Sequence, residues 1–229
     1  MRQFVLSLLS IALLGVACSG DPDLVAKIRE NWFEAFYISS ASSVPTILRG
    51  DRILVDKRAY RESLPSRGDI VVFWVSALNK DIHPRDRYPN AERKVFIFRI
   101  VGLPGDRIRI KDGDVYINDQ PQQVSAVGEP GEIEGQFVQI YHVADHQRSY
   151  RIARLAEGET QSSPEVTVEP DRYFVMGDNR DRAYDSRYWG SVHRTDIIGK
   201  AWLTYFSTEP GTLWLRPSRF FLRLHEDNV

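Results

Sequence analysis

A mainly antiparallel β body is predicted by three features of the sequence. Short runs rich in β-branched and aromatic residues recur along it, Gly-Asp turns separate them, and 12 Pro and 15 Gly punctuate its 229 residues. The runs are Arg52–Val55, Ile70–Trp74, Val95–Phe98, Arg107–Ile110, Val115–Ile117, Phe137–Tyr141 and Tyr173–Val175. Between them, Arg49-Gly50-Asp51, Arg67-Gly68-Asp69, Leu103-Pro104-Gly105-Asp106, Lys111-Asp112-Gly113-Asp114 and Met176-Gly177-Asp178-Asn179 place Gly where a strand must reverse. With 42% apolar residues the chain can bury one sizeable core, and two full domains are not required.

The N-terminus sets the compartment. Arg2 precedes an apolar run from Phe4 to Ala17, followed by Cys18-Ser19-Gly20-Asp21, the pattern of an export signal. The run is shorter than the roughly 20 residues that span a bilayer as a helix. Because Cys18 follows Gly15-Val16-Ala17, residues 1–17 resemble a bacterial lipoprotein signal, which implies lipidation of Cys18. A short uncleaved anchor and an ordinary export signal are the alternatives. All three place the body in the cell envelope, outside the cytoplasm. Over residues 18–36, Leu24, Ile28, Trp32 and Phe36 recur at fourfold spacing, which predicts a tether helix starting just after Asp23. The body occupies 37–119 and 172–206. Residues 120–171 are richer in Gln, Glu, Ser and Gly, with weaker strands, and read as a β-rich insertion. Residues 207–229 form a C-terminal tail, where Trp214-Leu215-Arg216 and Phe220-Phe221-Leu222-Arg223 suit either a membrane surface or packing on the body.

Charge and cysteine content exclude several classes of function. Thirty Lys and Arg against 31 Asp and Glu leave a net charge of -1, so no basic field is available for nucleic acid. One Cys forms no internal disulfide and no zinc cluster. Asp178, Asp181 and Asp185 lack the alternating spacing and closing Glu of a calcium loop, so neither metal nor cofactor is expected.

The candidate chemistry lies in a serine-rich segment, Ile38-Ser39-Ser40-Ala41-Ser42-Ser43-Val44-Pro45-Thr46. Such a loop on a rigid scaffold can present a hydroxyl. A serine nucleophile also needs a base and an oxyanion site, which spacing alone does not identify. Three further segments follow in order: Arg67-Gly68-Asp69-Ile70-Val71-Val72-Phe73, then Arg99-Ile100-Val101-Gly102-Leu103-Pro104-Gly105-Asp106, then Gly177-Asp178-Asn179-Arg180-Asp181 with Asp185-Ser186-Arg187-Tyr188-Trp189-Gly190. Taken together, from about Trp32 to Phe206, the four segments resemble the type I signal peptidases.

That resemblance implies a β-rich, membrane-anchored serine endopeptidase, acting outside the cytoplasmic membrane. Its substrates would be exported preproteins, cut after small residues by a Ser nucleophile and a Lys general base. Carried over by position, the nucleophile is Ser42, and the hydroxyl assisting the Ser42 N–H in the oxyanion site is Ser40. Asp178, Arg180, Asp185 and Arg187 fall where the family braces its site with ion pairs and hydrogen bonds. The base does not carry over: its position holds Phe98, and the Ser that orients it in the family is Ala183. Ser39 stands where Pro is usual and Ser43 where Met is usual. Lys94, Lys57, His142 and His146 offer no persuasive substitute base.

Three readings follow: an impaired signal-peptidase-type enzyme, a pseudopeptidase binding extended peptides or a partner protein, or a lipid-tethered structural envelope protein. Extended-peptide binding needs backbone hydrogen bonds and small pockets rather than Lys. Ile38 and Ile97, beside the nucleophile and base positions, are the candidates for lining those pockets.

Overall fold

The computed structural model describes residues 32–74, 95–145, 148–158 and 161–224. The predicted export signal, Cys18 and most of the tether lie outside these residues. The first strand, β1 (Phe33–Tyr37), corrects the end of the tether reading: what the fourfold spacing assigned to a helix pairs antiparallel with β2 (Asp51–Asp56), Phe33 opposite Asp56 and Tyr37 opposite Arg52. Ladder bonds to β2 outweigh the local apolar period there.

The central sheet has eight strands. Its path runs from β1 and β2 to β14 (Ile197–Ser207), β3 (Ile70–Trp74), β4 (Val95–Gly102), β12 (Arg172–Met176) and β13 (Val192–His193), with β15 (Leu222–Arg223) paired to β14. The cores of β2, β3, β4 and β12 fall on the expected apolar runs. β14 was not expected, because Gly199 and Lys200 interrupt its apolar pattern. Gly199 is there for closeness: a Cβ would stand 2.4 Å from the Asp56 carbonyl oxygen of β2. Val71, Phe73, Phe98, Ile100, Tyr173, Val175 and Trp189 fill one side of this sheet, and Ile38, Ile47, Ile53, Val55 and Val72 fill another cluster.

A four-stranded sheet holds β5 (Arg107–Lys111), β6 (Asp114–Ile117), β7 (Gln120–Pro121) and β11 (Ser163–Thr167). The inserted segment builds the third sheet from β8 (Gln123–Ile133), β9 (Gln136–Asp145) and β10 (Arg148–Leu155). These are long strands whose sequence looked weak because much of β8 faces solvent, so its side chains need not be apolar. The only α-helical turn among the described residues is α1 (Ser186–Trp189), capped by the Asp185 carboxylate accepting from the Arg187 N–H.

No helix among the described residues is long and apolar enough to cross a membrane.

Candidate active site

The serine loop leaves β1 and turns back into β2. The Val44 N–H donates to the Ala41 carbonyl (3.3 Å) and the Ile47 N–H to the Ser43 carbonyl (2.9 Å), coiling the chain tightly around Ser42. The Ser40 and Ser42 hydroxyl oxygens lie 2.9 Å apart on the exposed side of this coil. Ser43, in contrast, is buried and donates its hydroxyl to the Ile97 carbonyl of β4 (3.2 Å), tying the loop to the sheet. Among the described residues the Ser42 N–H has no acceptor.

The far side of the loop meets the turn that follows β12. The Asn179 N–H donates to the Ser42 carbonyl (3.1 Å), and its amide nitrogen donates to the Ala41 carbonyl (3.0 Å) and to Gln136 of β9 (3.1 Å). Gly177 sits where loop, turn and β4 converge. A Cβ there would stand 2.2 Å from Ala183 Cβ, 2.5 Å from the Ser42 carbonyl oxygen and 3.3 Å from the Phe98 ring. Ser42, Phe98 and Ala183 therefore surround one point. Gly177→Ala is expected to destabilise the protein by at least about 1–3 kcal/mol, because the methyl group meets backbone that cannot yield. A urea midpoint against wild type checks this.

The point they surround is apolar. Phe98 is buried, its ring 6.1 Å from Phe73, 5.8 Å from Phe96 and 6.5 Å from Trp189 in centroid distance. Ala183 packs in the same cluster. Of the residues considered as substitute bases, Lys57 pairs with Glu34 on the surface at 3.4 Å, and His142 lies in β9 opposite Ser125 and Arg151. Lys94 and His146 lie outside the described residues.

Beneath the loop lies a buried ionic network. Arg99 Nε and Nη2 grip both oxygens of Asp178 (2.8 and 2.7 Å), its Nη1 donates to the Gly68 carbonyl, and its guanidinium lies 4.2 Å from the centre of the Tyr150 ring. Burial alone would lower the Arg99 pKa, but the adjacent Asp178 carboxylate outweighs it and holds the group above its usual value. Thr46 of the loop donates to the same Asp178 (2.5 Å). Asp185 accepts the Gly177 N–H (2.8 Å) and pairs with Arg187, whose Nη2 reaches the Arg180 carbonyl (2.6 Å). Asp178, Asp185 and Arg187 thus tie the turn to the loop and to β4.

Arg180 differs from these three. Its side chain is buried without an ion pair among the described residues, its Nε has no acceptor, and burial pushes its pKa down. It braces through its backbone instead, donating its N–H to the Ala153 carbonyl of β10 (2.9 Å).

Arg99, Thr46 and Asn179 were not singled out from the sequence, although all three lie inside its recognisable segments. Their importance comes from pairing across 53 to 138 positions, which no local pattern reports.

The inserted sheet and the tail complete the support. Val44 packs with Val138 and Ala153, and Arg49 pairs with Glu134 at the β8–β9 turn (3.0 Å). Arg219 of the tail holds the buried Asp51 and donates to the Thr46 carbonyl (2.9 Å). Gly50 (φ +88°) closes the loop against the tail, where a Cβ would overlap the Thr208 carbonyl oxygen. Ile38 is buried in the central core, and Ile97 packs against the same cluster.

The molecule is thus a mainly antiparallel β protein that presents a pair of serine hydroxyls on a loop braced from beneath by a buried ionic network. A family model described as signal peptidase, peptidase S26, matches residues 5–206. A probable signal peptidase I-2 of Synechocystis sp. is 33% identical over 80% of this chain and 67% of its own. Signal peptidase I of Leptolyngbya laminosa is 34% identical over 78% and 71%, and that of Pseudomonas aeruginosa 33% identical over 80% and 68%. A crystal structure of a signal peptidase I from Enterococcus faecalis V583 covers 60% of this chain and 97% of its own, with 24% identity and a TM-score of 0.33. The chain belongs to the signal peptidase family.

Proposed function

We propose that this protein holds an extended segment of an exported preprotein beside Ser42 and cleaves it only at the residual rate left without a general base. The observation that carries this reading is the aromatic packing of Phe98 at the point shared by Ser42, Gly177 and Ala183. In this reading Phe98 occupies the position of the base and Ala183 that of its orienting partner.

A free serine hydroxyl near neutral pH is a weak nucleophile. Loss of the base from a serine–base unit costs on the order of 10⁶ in kcat, leaving the residual rate supplied by oxyanion stabilisation and binding. Here Ser42 Oγ would attack the scissile carbonyl; among the described residues its proton has no side-chain acceptor but Ser40, itself a hydroxyl, so it would pass to solvent water. The Ser42 N–H and Ser40 Oγ–H would then receive the developing oxyanion.

Binding asks for less. β12 pairs with β4 only at Arg99, Ile100 and Gly102, while β3 pairs with β4 from Val95 to Arg99. The β12-facing edge of Val95–Phe98, apart from the Ile97 carbonyl that Ser43 holds, would therefore offer backbone groups to an extended peptide, with Ile38 and Ile97 near its pockets. Leu213, Trp214 and Phe221 of the tail are 94%, 74% and 72% exposed, which supports a body lying on the membrane surface. The anchor in this reading is the segment before Trp32, through Cys18 or as a short span.

The test is a preprotein with an Ala-x-Ala site, incubated with the full chain in detergent. Wild type and Ser42→Ala are expected to capture it equally by crosslinking, with cleavage by wild type at least about 10⁴-fold below a base-containing enzyme. Rapid cleavage by wild type that Ser42→Ala abolishes would instead establish a working protease with an unrecognised base.

A further inference from the structure

A second site, independent of the serine loop, lies at the join between the body and the inserted sheet. A cavity of about 360 Å³ opens between the Asp56 end of β2, the segment 59–66, β14 and β10. This is within the range of small-molecule sites. At its wall, one buried carboxylate collects four donors. Asp69 Oδ1 accepts from Lys200 Nζ (2.7 Å) and from Arg148, and Oδ2 accepts from the Tyr60 hydroxyl (3.0 Å) and the Ser66 N–H (3.1 Å). Burial alone would raise the Asp69 carboxyl, but Lys200, the Ser66 N–H and Arg148 reverse this and hold it below its usual value.

Asp69 is thereby saturated, whereas its two cations are not. An ammonium carries three N–H donors and a guanidinium five. No second acceptor for Lys200 or Arg148 is present among the described side chains. Both side chains reach solvent through the cavity, at 36% exposure for Arg148 and 21% for Lys200. Asp56 at the edge brings the formal charge of the lining to zero, and its Oδ1 already accepts the Arg58 N–H (2.8 Å). The pull on a ligand is therefore local, coming from spare donors rather than from a net field. Trp202, stacked on Phe33 at 5.1 Å, supplies an apolar wall beside them.

We propose that this cavity binds a phosphate group, with Arg148 and Lys200 donating to its oxygens and Trp202 packing against the organic part. A tetrahedral oxyanion can accept from an ammonium and a guanidinium arriving from different directions, each bond being charge-assisted. The group is borne either by a small soluble phosphate compound or by a lipid headgroup.

The test is calorimetric titration of the full chain in detergent with inorganic phosphate, alongside its melting temperature, against chloride at matched ionic strength. Wild type is expected to bind phosphate at a single saturable site and to melt higher with it. Arg148→Ala retains the Lys200–Asp69 pair and should fold; it is expected to bind about 10-fold or more weakly, the loss of one charge-assisted hydrogen bond. Lys200→Met is the second variant, with the same expectation. Absence of phosphate-specific heat in folded wild type, or unchanged binding in both variants, overturns the proposal. Phosphatidylglycerol vesicles that compete with free phosphate for wild type but not for Arg148→Ala identify a headgroup; vesicles that do not compete identify a soluble phosphate compound.

Discussion

Phe98→Lys combined with Ala183→Ser is expected to raise preprotein cleavage by about 10²–10⁴-fold over wild type, the contribution of general-base assistance. In the proposed reading the serine pair needs no change, because Ser40 and Ser42 already lie 2.9 Å apart and Gly177 leaves room between Ser42 and residue 183. The aromatic surroundings of Phe98 help the new function. Burial against Phe73 and Trp189 disfavours an ammonium, so a lysine there is driven toward the neutral amine that a base requires. The same burial makes the exchange costly for folding. Truncating the ring contacts and introducing an ionisable group is expected to lower stability by about 3–5 kcal/mol, read as a shifted urea midpoint. Cleavage followed by mass spectrometry, with Ser42→Ala added as a third change, checks the chemistry. A folded double variant as silent as wild type would place the defect in the loop itself, at Ser39 and Ser43.

Asp178→Ala is expected to be among the most damaging single substitutions. It strips both carboxylate oxygens from Arg99, which is 4% exposed, and removes the acceptor of Thr46 in the serine loop. A buried guanidinium left without its partner costs about 3–5 kcal/mol. The pair itself is not the source of that figure, since replacing both partners by apolar residues of similar volume is often neutral or stabilising. Arg99→Met with Asp178→Leu is therefore expected to be more stable than Asp178→Ala alone, yet to capture less preprotein, because Thr46 and Asn179 lose the turn that positions Ser42. Glu169→Ala, which breaks the exposed i,i+3 pair with Arg172, should shift the midpoint by less than about 1 kcal/mol. Chemical denaturation of the set separates burial from pairing.

The strands of the body could be read locally because their signal is local. Ile70–Trp74 and Val95–Phe98 are apolar runs bounded by turn residues, and both sit in the middle of the central sheet, where Ile70–Phe73 are buried in succession and Val95–Phe98 pair beside them. The reading failed where the chain's environment differs from its pattern. Phe33–Tyr37 carries a helical apolar spacing but forms an edge strand, and β14 hides a central strand behind Gly199 and Lys200, the first needed for close approach to Asp56 and the second for Asp69. The inserted segment looked like a weak addition. Its Tyr150, Val138, Ala153 and Glu134 in fact reach the serine loop or the arginine beneath it.

The sequence by itself determined the β class, the family, and the absence of an amine at position 98 and of a hydroxyl at position 183. Each of these is a matter of residue identity and order. Only the tertiary structure decided that the space around Phe98 is filled by Phe73, Phe96 and Trp189, that Arg180 is buried without an ion pair among the described residues, and that the tail and the inserted sheet hold the serine loop from behind. Those outcomes depend on which distant segments share a volume. Close packing and the pairing of buried charge, rather than any local preference, select them.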